Sequence, residues 1–175
     1  MYYTYAESPF GTILLTSDGA YLTGLYLPEH LHGVEPRAEW ARDDDAPPFP
    51  QAKAQLQAYF DGTLTAFDLP LRLDGTAFQE KVWQELRQIP YGATISYGEL
   101  ARRLEQPNAA RAVGLANGRN PISIVVPCHR VIGSNGKLVG YGGGLDRKEA
   151  LLAFEMAVRT QGPRPFPSGV QPRLL

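Results

Sequence analysis

The spacing of hydrophobic positions along this chain changes once, near residue 72. Before that point β-forming residues alternate or cluster over Tyr2 to Ala6, Thr12 to Thr16 and Tyr21 to Leu27, the pattern of strands. Asp18-Gly19 lies between the last two and predicts a hairpin turn. Residues 36–50 contain Asp43-Asp44-Asp45 and Pro47-Pro48, which predict a solvated loop without regular structure. Gln51 to Phe60 has helical spacing with Leu56, Tyr59 and Phe60 on one face, and Asp61-Gly62 ends it.

From Thr76 the period is helical. Thr76 followed three residues later by Gln79 predicts a capping box, and Phe78, Val82, Trp83 and Leu86 form the apolar stripe behind it. Pro90-Tyr91-Gly92 is a turn. Ser96 then predicts the cap of a short helix with Leu100, Ala101 and Leu104 inward. Pro107 breaks it, and Asn108 predicts the cap of a second short helix, Ala109 to Ala116. Two short helices this close form a helix-turn-helix candidate. The second consists of small residues around Arg111, which suit either close approach to another surface or simple packing against its neighbour. Ser134 to Lys137 is a turn, and Gly140 to Gly144 is a glycine-rich loop broken by Tyr141. That loop lacks the context of a phosphate cradle; it serves either close backbone approach to something flat or connection alone. Asp146 predicts the cap of a last helix running to about Arg159. The tail, residues 161–175, has four prolines and no period, and is expected to be disordered. The elements predict an α+β fold with a β-rich region at 1–71, a mainly helical region at 72–160, and the tail.

Composition sharpens this picture in two places. The net charge of −1 conceals an asymmetry: residues 1–71 carry three basic and ten acidic side chains, residues 72–159 twelve and eight. A positive helical half points to an anionic partner such as nucleic acid, or to an uneven surface and nothing more. No secretory signal and no apolar run of membrane-spanning length is visible, which predicts a cytoplasmic protein without membrane contact.

The second place is Cys128, the single cysteine, in the run Val126-Pro127-Cys128-His129-Arg130-Val131. Only the thiolate is nucleophilic, and a free thiol of pKa about 8.5 is a few per cent ionised at neutral pH, so an adjacent imidazole and a cation would activate it. The alternative is a small buried hydrophobe that happens to precede a histidine. One cysteine excludes a disulfide, a CxxC redox cycle and a cysteine-based zinc site within one chain. In the last helix Glu155 lies four and three positions after Leu151 and Leu152 and shares their face, with Leu145 and Met156 as further candidates to meet the core. A carboxylate there needs a partner, and His129 would complete a nucleophile, base and orienter; the other reading is a glutamate at the stripe's edge reaching water.

These residues match a family. Pro127-Cys128-His129-Arg130-Val131, with Arg111-Ala112-Val113-Gly114 and Asn120-Pro121 before it, resembles the O6-alkylguanine-DNA alkyltransferases (methylated-DNA–protein-cysteine methyltransferases). Phe78 to Trp83, Ile89 to Gly92, Ser96-Tyr97 and Gly140-Tyr141 extend the likeness nearly unbroken from Phe78 to Glu155. The resemblance implies a small antiparallel sheet with a helix, followed by a winged helix-turn-helix-like domain bearing the cysteine. It implies DNA repair by one irreversible transfer of an alkyl group from O6-alkylguanine, and from O4-alkylthymine, to Cys128. His129 would take the thiol proton through a water and be held by Glu155. Asn120 would brace the turn by backbone hydrogen bonds, and Tyr97 would donate to the departing base. Arg111, Ala112, Gly114, Tyr97 and Arg130 are expected at the DNA, with Arg111 filling the gap left by the flipped nucleotide. Asn117, Val131, Tyr141, Gly142 and Gly143 are expected to line the base pocket.

The partner implied is double-stranded DNA entered through its minor groove by a monomer that is nucleoid-associated when bound, with no cofactor. Some relatives bind zinc through N-terminal cysteines or carry an added regulatory domain; this chain lacks those cysteines and that domain, so neither a metal nor transcriptional activation is expected. Of the other readings, a lesion-binding module would replace the cysteine. A Cys-His hydrolase rarely uses adjacent residues. A plain helix-turn-helix regulator leaves Cys128 and Glu155 without a task.

Overall fold

The computed structural model describes residues 1–29 and 33–169. Strands β1 (Tyr2–Ser8), β2 (Gly11–Ser17), β3 (Leu22–Tyr26) and β4 (Ala41–Arg42) form one sheet in the order β3-β2-β1-β4, antiparallel except for β4, which runs parallel to β1. The Asp18-Gly19 turn forms as expected. Asp18 Oδ1 accepts the Ala20 and Tyr21 amides at 2.9 and 2.8 Å, and Gly19 takes a φ of 101°, which costs glycine nothing. Central strand β2 is buried on both faces from Ile13 to Ser17. Its neighbours therefore decide its burial, and alternation disappears.

The loop expected at residues 36–50 is neither wholly irregular nor wholly solvated. It contributes β4 and the start of helix α1 (Phe49–Phe60), and Ala46 and Phe49 are buried. Pro50 sits in the first turn of α1, where its missing N–H has no helical partner to lose.

Edge strand β3 is not left open. Leu22 exchanges backbone hydrogen bonds with Pro70 and Arg72, and Leu25 does so with Pro121 and Ser123. These pairings cover the edge and fasten the sheet to the helical region, and a single hydrophobic core runs through both.

Helix α2 (Ala77–Leu86) begins at the capping box foreseen in the sequence: the Gln79 amide donates to Thr76 Oγ1 at 3.2 Å and the Thr76 amide to Gln79 Oε1 at 3.0 Å. The Trp83 indole donates to the Ala116 carbonyl at 2.9 Å, tying α2 to helix α4 (Ala110–Gly118). Helix α3 (Tyr97–Arg103) starts at Ser96, whose hydroxyl accepts from the Glu99 amide. Asn108 does not cap α4; Ala109 stands at that position without a side-chain bond. Strands β5 (Ile95–Ser96) and β6 (Val131–Ile132) pair in parallel and bring the start of α3 beside the residues that follow Cys128.

Helix α5 (Leu145–Gln161) starts one residue before Asp146, with Gly144 as its N-cap, so Asp146 lies in the first turn and is not the cap. Its inner face is Leu151, Phe154, Glu155 and Val158, whereas Leu145 and Met156, expected at the core, are about half exposed. No helix of the described residues is long and apolar enough to cross a membrane.

The tail departs furthest from expectation. Residues 162–169 follow α5 back over the core, and the Phe166 amide donates to the Phe60 carbonyl at 2.7 Å. The Phe166 ring is buried with centroids 4.8, 5.1 and 5.6 Å from Phe154, Phe10 and Phe60. One aromatic plug docks the segment without any periodicity; Val170 to Leu175 lie outside the described residues. Phe166→Ala is expected to cost about 3 kcal/mol, read as a fall in the urea midpoint at unchanged m-value. A loss below about 0.5 kcal/mol, the size of an ordinary surface substitution, would show that the tail does not dock.

Candidate active site

Cys128 begins one turn of 3-10 helix, Cys128–Arg130, between a braced loop and β6. The brace is Asn120. Its Nδ2 donates to the Val126 carbonyl at 2.8 Å and the Ile122 carbonyl at 3.4 Å, while its Oδ1 accepts the Ile122 amide at 3.0 Å. Within this loop Ile124 is held at a φ of 71°. For a β-branched residue that conformation is strained and persists only where surrounding bonds enforce it. The Cys128 carbonyl accepts from Asn117 Nδ2 at 3.3 Å. Loop and turn are thereby fixed on both sides of the thiol.

The thiol is buried. Burial pushes its pKa up, opposed by a hydrogen bond from Asn120 and by the Lys148 ammonium. At rest it is a protonated thiol, so reaction requires a group to take its proton.

The next residue in the chain carries an imidazole. His129 is fully buried, and its Nε2 lies 2.8 Å from Glu155 Oε1. Burial alone would raise the Glu155 pKa, but His129 and Arg130 outweigh it and hold the carboxyl well below its usual range. An ionised carboxylate only accepts, so Nε2 carries the hydrogen that faces Glu155. Nδ1 is buried without a hydrogen-bond partner. Glu155 is further bound by Arg130 Nε and Nη2, both at 2.9 Å, by the Tyr59 hydroxyl at 2.8 Å and by the Gly92 amide at 3.3 Å.

The structure thus unites Cys128, His129, Glu155 and Asn120. Tyr97 joins them from the first residue of α3, where its hydroxyl donates to the Val139 carbonyl at 2.9 Å. Burial and the nearby Cys128 raise its pKa, keeping it a donor. Val131 and Tyr141 are buried nearby. Gly143 has no room for a side chain: a Cβ there would stand 2.7 Å from Leu27 Cδ1 and 2.9 Å from Tyr141 Cε1. Arg111 and Ala112 are exposed on α4, and Gly114 faces the Tyr97 ring.

Arg130 is not at an outer surface. Its guanidinium is buried, spends two donors on Glu155 and a third on the Ile89 carbonyl at 2.8 Å, and lies 5.5 Å from the Tyr91 ring centre. It is buried against Glu155 rather than set on an outer face, which corrects its expected place at the DNA. Sequence reasoning also missed Lys148. This buried ammonium donates to the Val131, Val139 and Gly140 carbonyls and stands 5.8 Å from the Tyr97 ring centre. Burial pushes its pKa down to about 8, opposed by Cys128. Its position seven residues before Glu155, two helical turns away on one face, was the available signal. Among the described residues no three His, Cys, Asp or Glu side chains gather as metal ligands.

The fold and site define an α+β protein in which a buried thiol, next in the chain to a histidine paired with a glutamate, stands beside a pair of short packed helices. Residues 77–157 match the DNA-binding domain of 6-O-methylguanine DNA methyltransferase, and residues 1–73 match the ribonuclease-like domain of the same family. Methylated-DNA–protein-cysteine methyltransferases of Mycobacterium tuberculosis and Methanosarcina acetivorans are 54% and 50% identical to this chain. Each alignment covers 89% of it, and 92% and 98% of the two relatives respectively. The crystal structure of Mycobacterium tuberculosis OGT in complex with DNA is similar with a TM-score of 0.83 at 52% identity, over 90% of this chain and 94% of that one. The chain belongs to the 6-O-methylguanine DNA methyltransferase family, the DNA-repair enzymes that transfer an alkyl group to a protein cysteine.

Glu155→Gln keeps the shape but strands the Arg130 guanidinium in the core, so a loss of roughly 3–5 kcal/mol is expected at pH 7. The folded pKa of Glu155 lies below its unfolded value of about 4.5. The unfolded chain therefore binds more protons there, and stability falls as pH drops below about 4.5. Urea titrations at pH 7 and pH 4 should show the variant weaker at pH 7 and flatter toward acid. Parallel wild-type and variant curves would refute the charged state assigned to Glu155.

Proposed function

We propose that Cys128 is the alkyl acceptor and that His129, held by Glu155, takes its proton through a bridging water. The observation that carries this reading is the buried lone cysteine next to a histidine whose Nε2 is engaged by Glu155 and whose Nδ1 has no hydrogen-bond partner. The Cys128 sulfur attacks the alkyl carbon in line with the bond to O6 of guanine. The new S–C bond forms as the C–O6 bond breaks, and the electron pair leaves with the base. Tyr97 gives up the Val139 carbonyl and donates to that base, making it a better leaving group. The thioether left on Cys128 has no proton to lose, so each molecule acts once.

Asn120 keeps the turn in shape, and Asn117, Val131, Tyr141, Gly142 and Gly143 line the base pocket. Buried Asn117 Oδ1 and the Tyr141 hydroxyl, neither with a hydrogen-bond partner, support that use. A lesion inside a duplex is out of reach, so the nucleotide must leave the stack, at a few kcal/mol. The exposed face of α4 suits the minor groove: Arg111 projects from it, and Ala112 and Gly114 let the helix lie close. The likeness to a relative crystallised with DNA supports DNA as the partner; we take that partner to be a duplex bearing O6-alkylguanine, bound by a monomer.

Intact mass after incubation with a duplex containing O6-methylguanine should rise by one methyl, mapped to Cys128 and stopping at one equivalent. Cys128→Ser should bind the same duplex without gaining mass. Tight binding without transfer by the wild type would make the protein a lesion-binding module instead. Arg111→Ala should slow repair of duplex at least tenfold while leaving reaction with free O6-benzylguanine within twofold; equal losses on both substrates would sink the gap-filling role.

A further inference from the structure

Tyr59 reaches the buried site from the N-terminal region, 96 residues before Glu155. It donates to Oε1, the same oxygen that faces His129 Nε2 and Arg130 Nη2. Its ring is 1% exposed and meets Phe60, Tyr91 and Phe154 edge-on at 5.3, 6.1 and 5.9 Å, with Phe67 tilted against it at 5.4 Å. From this enclosure the hydroxyl donates to Glu155 Oε1 at 2.8 Å. Burial and Glu155 push its pKa well above 10, so it remains a donor throughout the working range.

We propose that Tyr59 is a positioning residue of the alkyl transfer, through which the N-terminal region sets the basicity of His129. This rests on the reading that His129 takes the thiol proton. Three donors share Oε1, and each draws electron density from it. The more firmly Tyr59 binds, the weaker the pull of Oε1 on the Nε2 hydrogen and the less basic Nδ1 becomes. Other charged or titratable groups near the carboxylate are Arg130 from the 3-10 turn, Tyr91 from the turn after α2, Tyr141 from the glycine-rich loop and Arg159 on α5. Cys128 and Lys148 lie beyond His129. Arg130 fixes the charge of Glu155, and Tyr91 and Tyr141 make no hydrogen bond to it, leaving Tyr59 as the neutral donor that can be exchanged without altering charge.

The test is the pH profile of single-turnover transfer from an O6-methylguanine duplex, pH 5.5 to 9, with urea midpoints alongside. Tyr59→Phe keeps the ring and removes the donor. The acid limb should move up by roughly half a unit, about a threefold loss on that limb, with little change at pH 8.5. Site-specific 3-fluorotyrosine at position 59, a stronger donor of nearly the same shape, should move the limb down; it also decides the question where Tyr59→Phe fails to fold. Profiles that superpose on wild type, whatever the midpoints do, would overturn the proposal and leave Tyr59 a packing residue. Absence of transfer to Cys128 in the wild type would instead overturn the reading beneath it.

Discussion

A carboxylate with no solvent contact sits where the two regions of this protein meet, and much else is arranged to keep it ionised. Glu155 receives donors from α1, from the turn after α2 and from the 3-10 turn that begins at Cys128. A charge taken so far from water is tolerated only with such complete pairing. The same bonds also fix the imidazole of the residue that follows the thiol. Stability and the proposed proton path therefore share one ion network.

The thiol is latent for a related reason. Burial favours its protonated form, while Asn120, Lys148 and the backbone amides of Cys128 and His129 favour its ionised form. Under the proposed single use, a thiol unreactive until its substrate arrives is protected from a stray oxidant or alkylator that would consume it. The rigidity of the site follows from the Asn120 brace and the Ile124 backbone. Pairing of β5 with β6 then carries Tyr97 to the same place from a helix that begins 31 residues earlier.

Much of this was legible in local chemistry. Thr76 and Gln79 announce a capping box and Asp18-Gly19 a hairpin, because each depends on neighbours a few residues away. The inward turn of Glu155 was legible too, although the face that carries it proved to be Leu151, Phe154 and Val158, not Leu145 and Met156. Arg130 and Lys148 were misjudged or missed because charge suggests surface, and only a partner from another element makes a buried cation tolerable. The tail misled similarly: proline-rich and aperiodic, it has no local reason to be ordered, yet the Phe166 ring finds a slot built by Phe10, Phe60 and Phe154.

By itself, then, the sequence determined the order of strands and helices, offered a single thiol next to a histidine, and, through resemblance, pointed to the family's reaction. These are properties of short stretches, where residue type and spacing act directly. Tertiary structure alone decided which donors converge on Glu155, that Arg130 faces inward, that Lys148 lies beneath the Tyr97 ring, and that Tyr59 belongs to the site. Those are contacts between residues tens of positions apart, and what a charged or phenolic side chain does depends on what the fold brings within three ångströms of it.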